Sequence, residues 1–240
     1  MGIFRMPSMW ILGGYTLAAV LPAAVLLIYV YQHDRVEREP TGLLLSLLWK
    51  GVLAALCSIV LETIGQVVLG WVVTPGTLLH TVLTAFLVVA AVEEGTKFFF
   101  LKQRTWYDYN FNYRFDAIVY AVFVSLGFAA FENIGYVFGY GITVAPARAL
   151  LAIPGHMSFA VFMGYFYGRA KLFFDYGDKE KSRTNLWLAY LSAVFLHGFY
   201  DSCAMIGSAG STIVFVVFII LMYIAVYRMI KNESHTDAPV

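Results

Sequence analysis

Val92-Glu93-Glu94-Gly95-Thr96-Lys97-Phe98-Phe99-Phe100 closes an apolar run that begins near Leu78. The run is long enough to cross a bilayer, because a hydrocarbon core of about 30 Å takes about 20 helical residues. Ionisable groups there are costly, since a charged side chain at mid-bilayer costs about 2.5–3.5 kcal/mol on insertion scales. On a helix, Glu93 and Lys97 stand four apart and Glu94 and Lys97 three apart, so one ammonium serves both carboxylates. A membrane span that keeps three such groups is built around a site.

The rest of the chain agrees with a membrane setting. Of its 240 residues, 60% are hydrophobic and 13% charged, with a mean hydropathy of +0.74; a soluble domain carries about 25% charged residues. The net charge of +1 gives no global electrostatic argument for nucleic acid, so any electrostatic reading is local. Cys57 and Cys203 both fall in apolar runs, which reads as two core residues rather than a disulfide framework. The run after Met1-Gly2-Ile3-Phe4-Arg5 is too long for the apolar region of a signal peptide and is read as a retained first span.

The expected fold is all-α, a polytopic transmembrane helical bundle forming one integral membrane domain over 1–240, with a short polar tail at 232–240. Seven spans are expected at roughly 10–31, 51–73, 78–101, 116–140, 149–171, 186–207 and 211–230. The segment from Leu43 to Lys50 either extends the second span or lies at the interface. The break at Ser208 to Ser211 is the weakest, which makes six the alternative count. With seven spans, one side collects Arg35, Arg38, Lys50, Lys102, Arg104, Arg114, Arg169, Lys171, Lys179, Lys181, Arg183, Arg228 and Lys231, and the other only Arg5 and Arg148. The positive-inside rule then predicts a multi-pass cell-membrane protein with its N-terminus outside and its C-terminus cytoplasmic. The aromatic loop from Thr105 to Phe115 reads as an interfacial belt. Gly135 with Gly139, and Gly164 with Gly168, read as helix-packing pairs.

Other spans also carry residues that lipid does not tolerate. These are Glu62 in the second, Glu132 and Asn133 in the fourth, His156 in the fifth, and His197 and Asp201 in the sixth. Glu62 stands alone, and the simpler reading gives it no direct role. A lone buried histidine is usually a satisfied core residue, and Asp201, one turn from His197, can simply orient it. Taken together, however, Glu93, Glu94, Glu132, His156, His197 and Asp201 each carry a separate insertion cost, which argues for one shared polar centre. Its depth is in conflict with the spans as drawn. Glu93 and Glu94 fall about 10 Å closer to the basic side than the histidines at 1.5 Å per residue, so the third span either starts later than Leu78 or is long and tilted.

The chemistry of such a centre is activation of water. No serine sits in a Gly-x-Ser-x-Gly turn and neither cysteine has an evident histidine partner. Glu93 or Glu94 suits a general base, with Lys97 holding the pair. His156, His197 and Asp201 suit a Zn²⁺ site, or stabilise an oxyanion without metal; the residues leave both open, as they do the choice of base. The rival class is a proton-coupled transporter or channel that uses the intramembrane Glu, His and Lys residues as a relay.

The ordered set Glu93-Glu94-x-x-Lys97, Phe128-x-x-x-Glu132-Asn133 and His197-x-x-x-Asp201, together with Arg148 and Pro154-Gly155-His156, resembles the PrsW family of intramembrane proteases, relatives of the CAAX-protease and bacteriocin-processing superfamily. The wider superfamily carries Glu-Glu-x-x-x-Arg, and Lys97, one residue earlier, sets this chain nearer PrsW. The resemblance covers the catalytic core motifs at 93–201. It implies proteolysis of a membrane-anchored protein, in one branch a single-span anti-sigma factor cut at the first site of a cascade. It also places Glu93, Glu94, His156 and His197 first among the catalytic positions, with Glu132 and Asp201 next.

Overall fold

The computed structural model describes residues 9–240, with side chains from residue 12 onward. Arg5 and the rest of the N-terminal segment lie outside the described residues. The helices are α1 (Met9–His33), α2 (Thr41–Val72), α3 (Leu78–Leu83), α4 (Ala91–Thr105), α5 (Arg114–Tyr140), α6 (Ala145–Leu150), α7 (Ala152–Asp175), α8 (Lys179–Ile206) and α9 (Ala209–His235). A π-helical segment, Thr84–Ala90, fuses α3 to α4, and α6 runs into α7 within one apolar stretch, Ile142–Asp175, so the described residues form seven rods. Among the described residues no β-strand forms; one isolated antiparallel bridge pairs Tyr113 with Pro239.

Six of these rods are long and apolar enough to cross a membrane, and the seventh, α8, carries a charged first half. The segment from Leu43 to Lys50 belongs to α2, which starts directly after Pro40. The weak break is real: α8 ends at Gly207, whose φ of +63° suits a residue without a Cβ, and Ser208 caps α9 by accepting from Ser211 N. The third rod starts at Leu78 as drawn. It is long, at 28 residues, and its i→i+5 segment fits more residues into a given length than an α-helix does. Glu93 and Glu94 do reach the histidines: Lys97, which holds both, contacts His156, and Glu94 contacts His197.

The buried centre is α5, whose face from Phe115 to Ala129 is almost wholly enclosed by α7, α2, α1 and α4. Small residues set these contacts. A Cβ on Gly51 of α2 would collide with the Val124 carbonyl, and one on Gly127 of α5 with Leu48 O; Gly164 and Gly168 of α7 press likewise on the backbone of Ala117 and Arg114. Gly135 and Gly139 do not pack: nothing lies within 4 Å of a Cβ built there. The expectation of two packing pairs is corrected to one.

The aromatic loop is also only partly an interfacial belt. Tyr107 and Tyr109 are 85% and 87% exposed, but Trp106, Phe111 and Phe115 are buried, with Phe111 stacked on Tyr167 of α7 at 5.3 Å between centroids. The loop folds back over the ends of α5 and α7, where aromatic area gains more from burial than from the interface. Neither cysteine is paired, and the expectation of two core residues is corrected: Cys203 is buried but Cys57 is exposed on α2.

Candidate active site

Glu93 and Glu94 open α4 on its inward face, directly after the π-helical segment. Such segments are frequent at functional sites because they rotate the following side chains relative to the preceding turn. Phe86 of this segment lies against Gly198, where a Cβ would overlap its ring, so α8 comes close enough to present His197. Tyr190 OH donates to Ala91 O at 3.0 Å and ties α8 to the start of α4.

Lys97 is the hub. Its Nζ donates to Glu93 Oε2 at 3.0 Å and to Glu94 Oε1 at 2.8 Å, and lies 3.2 Å from His156 Nδ1. An ammonium has no lone pair, so Nδ1 accepts and the His156 proton sits on Nε2, which donates to Glu132 Oε2 at 3.1 Å. Glu132 also accepts from Arg148 Nη2 at 2.7 Å, while Arg148 Nε donates to Asn133 Oδ1 at 2.7 Å. Asn133 in turn donates to Ala19 O of α1, and the guanidinium rests 3.7 Å over the Tyr136 ring. Short α6 is thus clamped beside the site.

His197 Nδ1 lies 2.9 Å from Glu94 Oε1, and its Nε2 3.3 Å from Asp201 Oδ2. Its ring stacks on Phe159 at 4.7 Å and meets His156 edge-on at 5.3 Å. Glu93, Glu94, Lys97, His156 and His197 are all buried. In such surroundings ionic contacts are strong and an uncompensated group is costly.

All seven expected site residues converge. One donor atom from each of Glu93, Glu94, His156 and His197 lies within 4.8 Å of the other three; Asp201 stands behind His197, outside this group. Two carboxylates and two imidazoles suit a divalent metal. Two further observations favour such a fit. Glu94 Oε2 is buried with no hydrogen-bond partner, and four carboxylates (Glu93, Glu94, Glu132 and Asp201) face only two permanent cations, Lys97 and Arg148.

The cluster forms one wall of a cavity of about 330 Å³ that also reaches Arg148, Tyr200 and Glu62. Glu93 faces this cavity and a second one of about 340 Å³ between α2 and α5, whereas Glu94 faces neither. Sequence reasoning missed Arg148 as the partner of Glu132 and did not place Glu62 on the cavity wall. The available signal for Arg148 was its isolation, as the single Lys or Arg within a helix at the end that lacks a basic cluster, among the described residues.

The model of the family described as PrsW family intramembrane metalloprotease matches residues 39–227. Protease PrsW of Geobacillus kaustophilus (strain HTA426) is 35% identical over 184 residues, covering 77% of this chain and 76% of that protein. Protease PrsW of Clostridioides difficile (strain 630) is 30% identical over 225 residues, covering 92% of each. Protease PrsW of Bacillus subtilis (strain 168) is 33% identical over 185 residues, covering 77% of this chain and 79% of that protein. No solved structure matches the chain.

Proposed function

Because this chain belongs to the PrsW family of intramembrane metalloproteases, we propose that it hydrolyses a peptide bond of a membrane-anchored protein with water activated by Glu93. The enzyme is a hydrolase and a multi-pass membrane protein. The assignment of the base rests on one observation: of the carboxylate pair, Glu93 faces the cavity and Glu94 is enclosed by Lys97 and His197.

In this reading Glu93 takes a proton from water as the water oxygen attacks the scissile carbonyl carbon. The Lys97 ammonium holds positive charge beside the place where the oxyanion develops, and the imidazoles of His156 and His197 add polar ring N–H groups there. Glu93 then returns the proton to the leaving amine as the C–N bond breaks, and the water oxygen ends in the new carboxyl group. Asp201 fixes the His197 ring, and Arg148 with Glu132 fixes His156. Glu94, His156 and His197 are the residues that would hold a metal such as Zn²⁺, which when bound supplies Lewis acidity to the carbonyl and a more acidic water.

The proposed substrate is a single-span protein of the anti-sigma type, on the strength of the motif resemblance. The excess of Lys and Arg at one end of the bundle favours an outside N-terminus and a cytoplasmic C-terminus. The test compares membrane-anchored proteins released by cells carrying the intact chain with those carrying the Glu93→Gln variant. Release by the intact chain alone is expected; identical release profiles refute the reading.

A further inference from the structure

α2 and α5 both run away from the basic end of the bundle, and their backbones touch at Gly51 and Gly127. Beyond that contact α2 leaves α5. Ser58 of α2 lies 2.8 Å from Thr96 of α4, hydroxyl to hydroxyl. A Cβ on Gly65, two turns on, would meet Val88 of the π-helical segment at 3.0 Å. α5 does not follow, and Gly135 faces open space. The wedge left between the helices is the second cavity, walled by Ser58, Ile59 and Glu62 on one side and Phe131, Gly135 and Tyr136 on the other. It shares Glu62, Glu93, Glu132 and Tyr136 with the cavity at the catalytic cluster. The two spaces therefore meet at Glu93, and Ile59 at the rim of the wedge is 55% exposed on the lipid-facing surface.

Glu62 stands at this junction with no ion pair or hydrogen bond among the described residues. Its neighbours on α2, Val60, Leu61 and Ile64, are exposed apolar residues, so a carboxylate here has no packing role. A membrane segment becomes cleavable only where its helix unwinds, and each freed backbone N–H in lipid costs several kcal/mol unless an acceptor meets it. Unwound backbone persists only where it is enclosed by protein or lines a cavity. The wedge supplies both the enclosure and the acceptor.

We propose that the cleft between α2 and α5 is the lateral portal through which the membrane segment of the substrate reaches Glu93, and that Glu62 accepts a backbone N–H of that segment where it unwinds. Glu62 is thus a substrate-binding residue. This rests on the protease reading above and adds the route and the group that receives the chain.

The test uses the full-length chain in liposomes with two substrates: the membrane-anchored protein identified by the release comparison, and a short soluble peptide spanning its cut site. Gly135→Trp and, from the opposite wall, Ile59→Trp fill the cleft. Cleavage of the anchored protein is expected to fall at least tenfold more than cleavage of the peptide in both variants. Glu62→Leu is expected to raise KM for the anchored protein about tenfold with kcat little changed, and Glu62→Gln, which keeps an acceptor oxygen, to restore most of it. Equal effects on the two substrates, or an unchanged KM in Glu62→Leu, overturn the proposal while leaving the protease reading intact. Failure of the unmodified chain to cut either substrate removes both.

Discussion

Lys97 Nζ lies 3.2 Å from His156 Nδ1, across the seam between α4 and α7, while the same ammonium holds Glu93 and Glu94. The lysine is therefore the part that makes three separate groups one centre. Removing it leaves two buried carboxylates facing each other, and breaking a buried ion pair costs about 3–5 kcal/mol. Lys97→Met is expected to lower the thermal midpoint in detergent sharply, and adding Glu94→Gln to that variant to recover part of the loss. A Lys97→Met chain as stable as the parent would show that the ammonium is not the hub.

The two glutamates should separate by readout. Glu93 contacts Lys97 once and faces the cavity, so Glu93→Gln is expected to lose less of its thermal midpoint than Glu94→Gln and to lose turnover by about 10²–10⁴-fold, the range for a missing general base. Glu94 is fully buried between Lys97 and His197, and Glu94→Gln weakens two charge-assisted hydrogen bonds. It is expected to lose both stability and turnover. The reverse pattern, a stable Glu94→Gln and an unfolded Glu93→Gln, would exchange the two roles.

Asp201 acts through His197. Its carboxylate lies 3.3 Å from Nε2, and loss of such an orienting partner lowers activity by about 10–100-fold. Asp201→Asn is expected to lower kcat within that range with little change in KM, because the residue holds a catalytic ring and not the substrate. A KM effect without a kcat effect would place Asp201 in substrate binding instead.

A metal held by Glu94, His156 and His197 competes with Lys97 for the same donors. Zn²⁺ added to the metal-stripped chain is expected to raise the thermal midpoint, since a ligand that binds only the folded state stabilises it. The shift should vanish in a His156→Ala/His197→Ala variant and grow in Lys97→Met. No shift in the parent chain at saturating Zn²⁺ would remove the metal from the proposed mechanism.

What could be read from the sequence follows from what lipid penalises. Glu93, Glu94, Lys97, His156 and His197 each violate an apolar span, so their convergence was legible without coordinates, as were the rods themselves. The depth conflict was legible too, but the π-helical segment was not: nothing in Thr84 to Ala90 announces it, and its Phe86 meets Gly198 of α8, more than 100 residues on. Gly135 was misread because spacing alone does not distinguish a glycine that admits a neighbour from one that leaves a gap. Arg148 and Glu62 were hard to place for a related reason. Glu132 is brought to Arg148 by the turn at Gly141 that folds α6 back on α5, and the cavities at Glu62 are closed by helices distant in sequence.

The basic end of the bundle offers a pH test away from the catalytic site. Asp34 and Glu39, in the turn between α1 and α2, are buried, and both oxygens of Asp34 and Oε2 of Glu39 have no hydrogen-bond partner. Burial pushes Asp34 up from 3.8 to about 6, and burial with the nearby Asp34 charge pushes Glu39 up from 4.5 to about 7. The groups facing them are Glu37, Asp116, Asp237 and Tyr120, with Arg38 as a partial counterweight. Both carboxyls hold their protons to higher pH in the folded chain than in the unfolded one, so between about pH 4 and pH 7 the folded state binds more protons. Stability must then fall as pH rises through that window and level off above it. The thermal midpoint in detergent is expected to be lower at pH 8 than at pH 5, on the order of 2–4 °C for each kcal/mol lost in a chain of this size. Asp34→Asn/Glu39→Gln, neutral at both pH values, should shrink the difference and be at least as stable as the parent at pH 8. A parent chain more stable at pH 8 than at pH 5, with the double variant unchanged from it, would mean that these carboxyls are paired in solution.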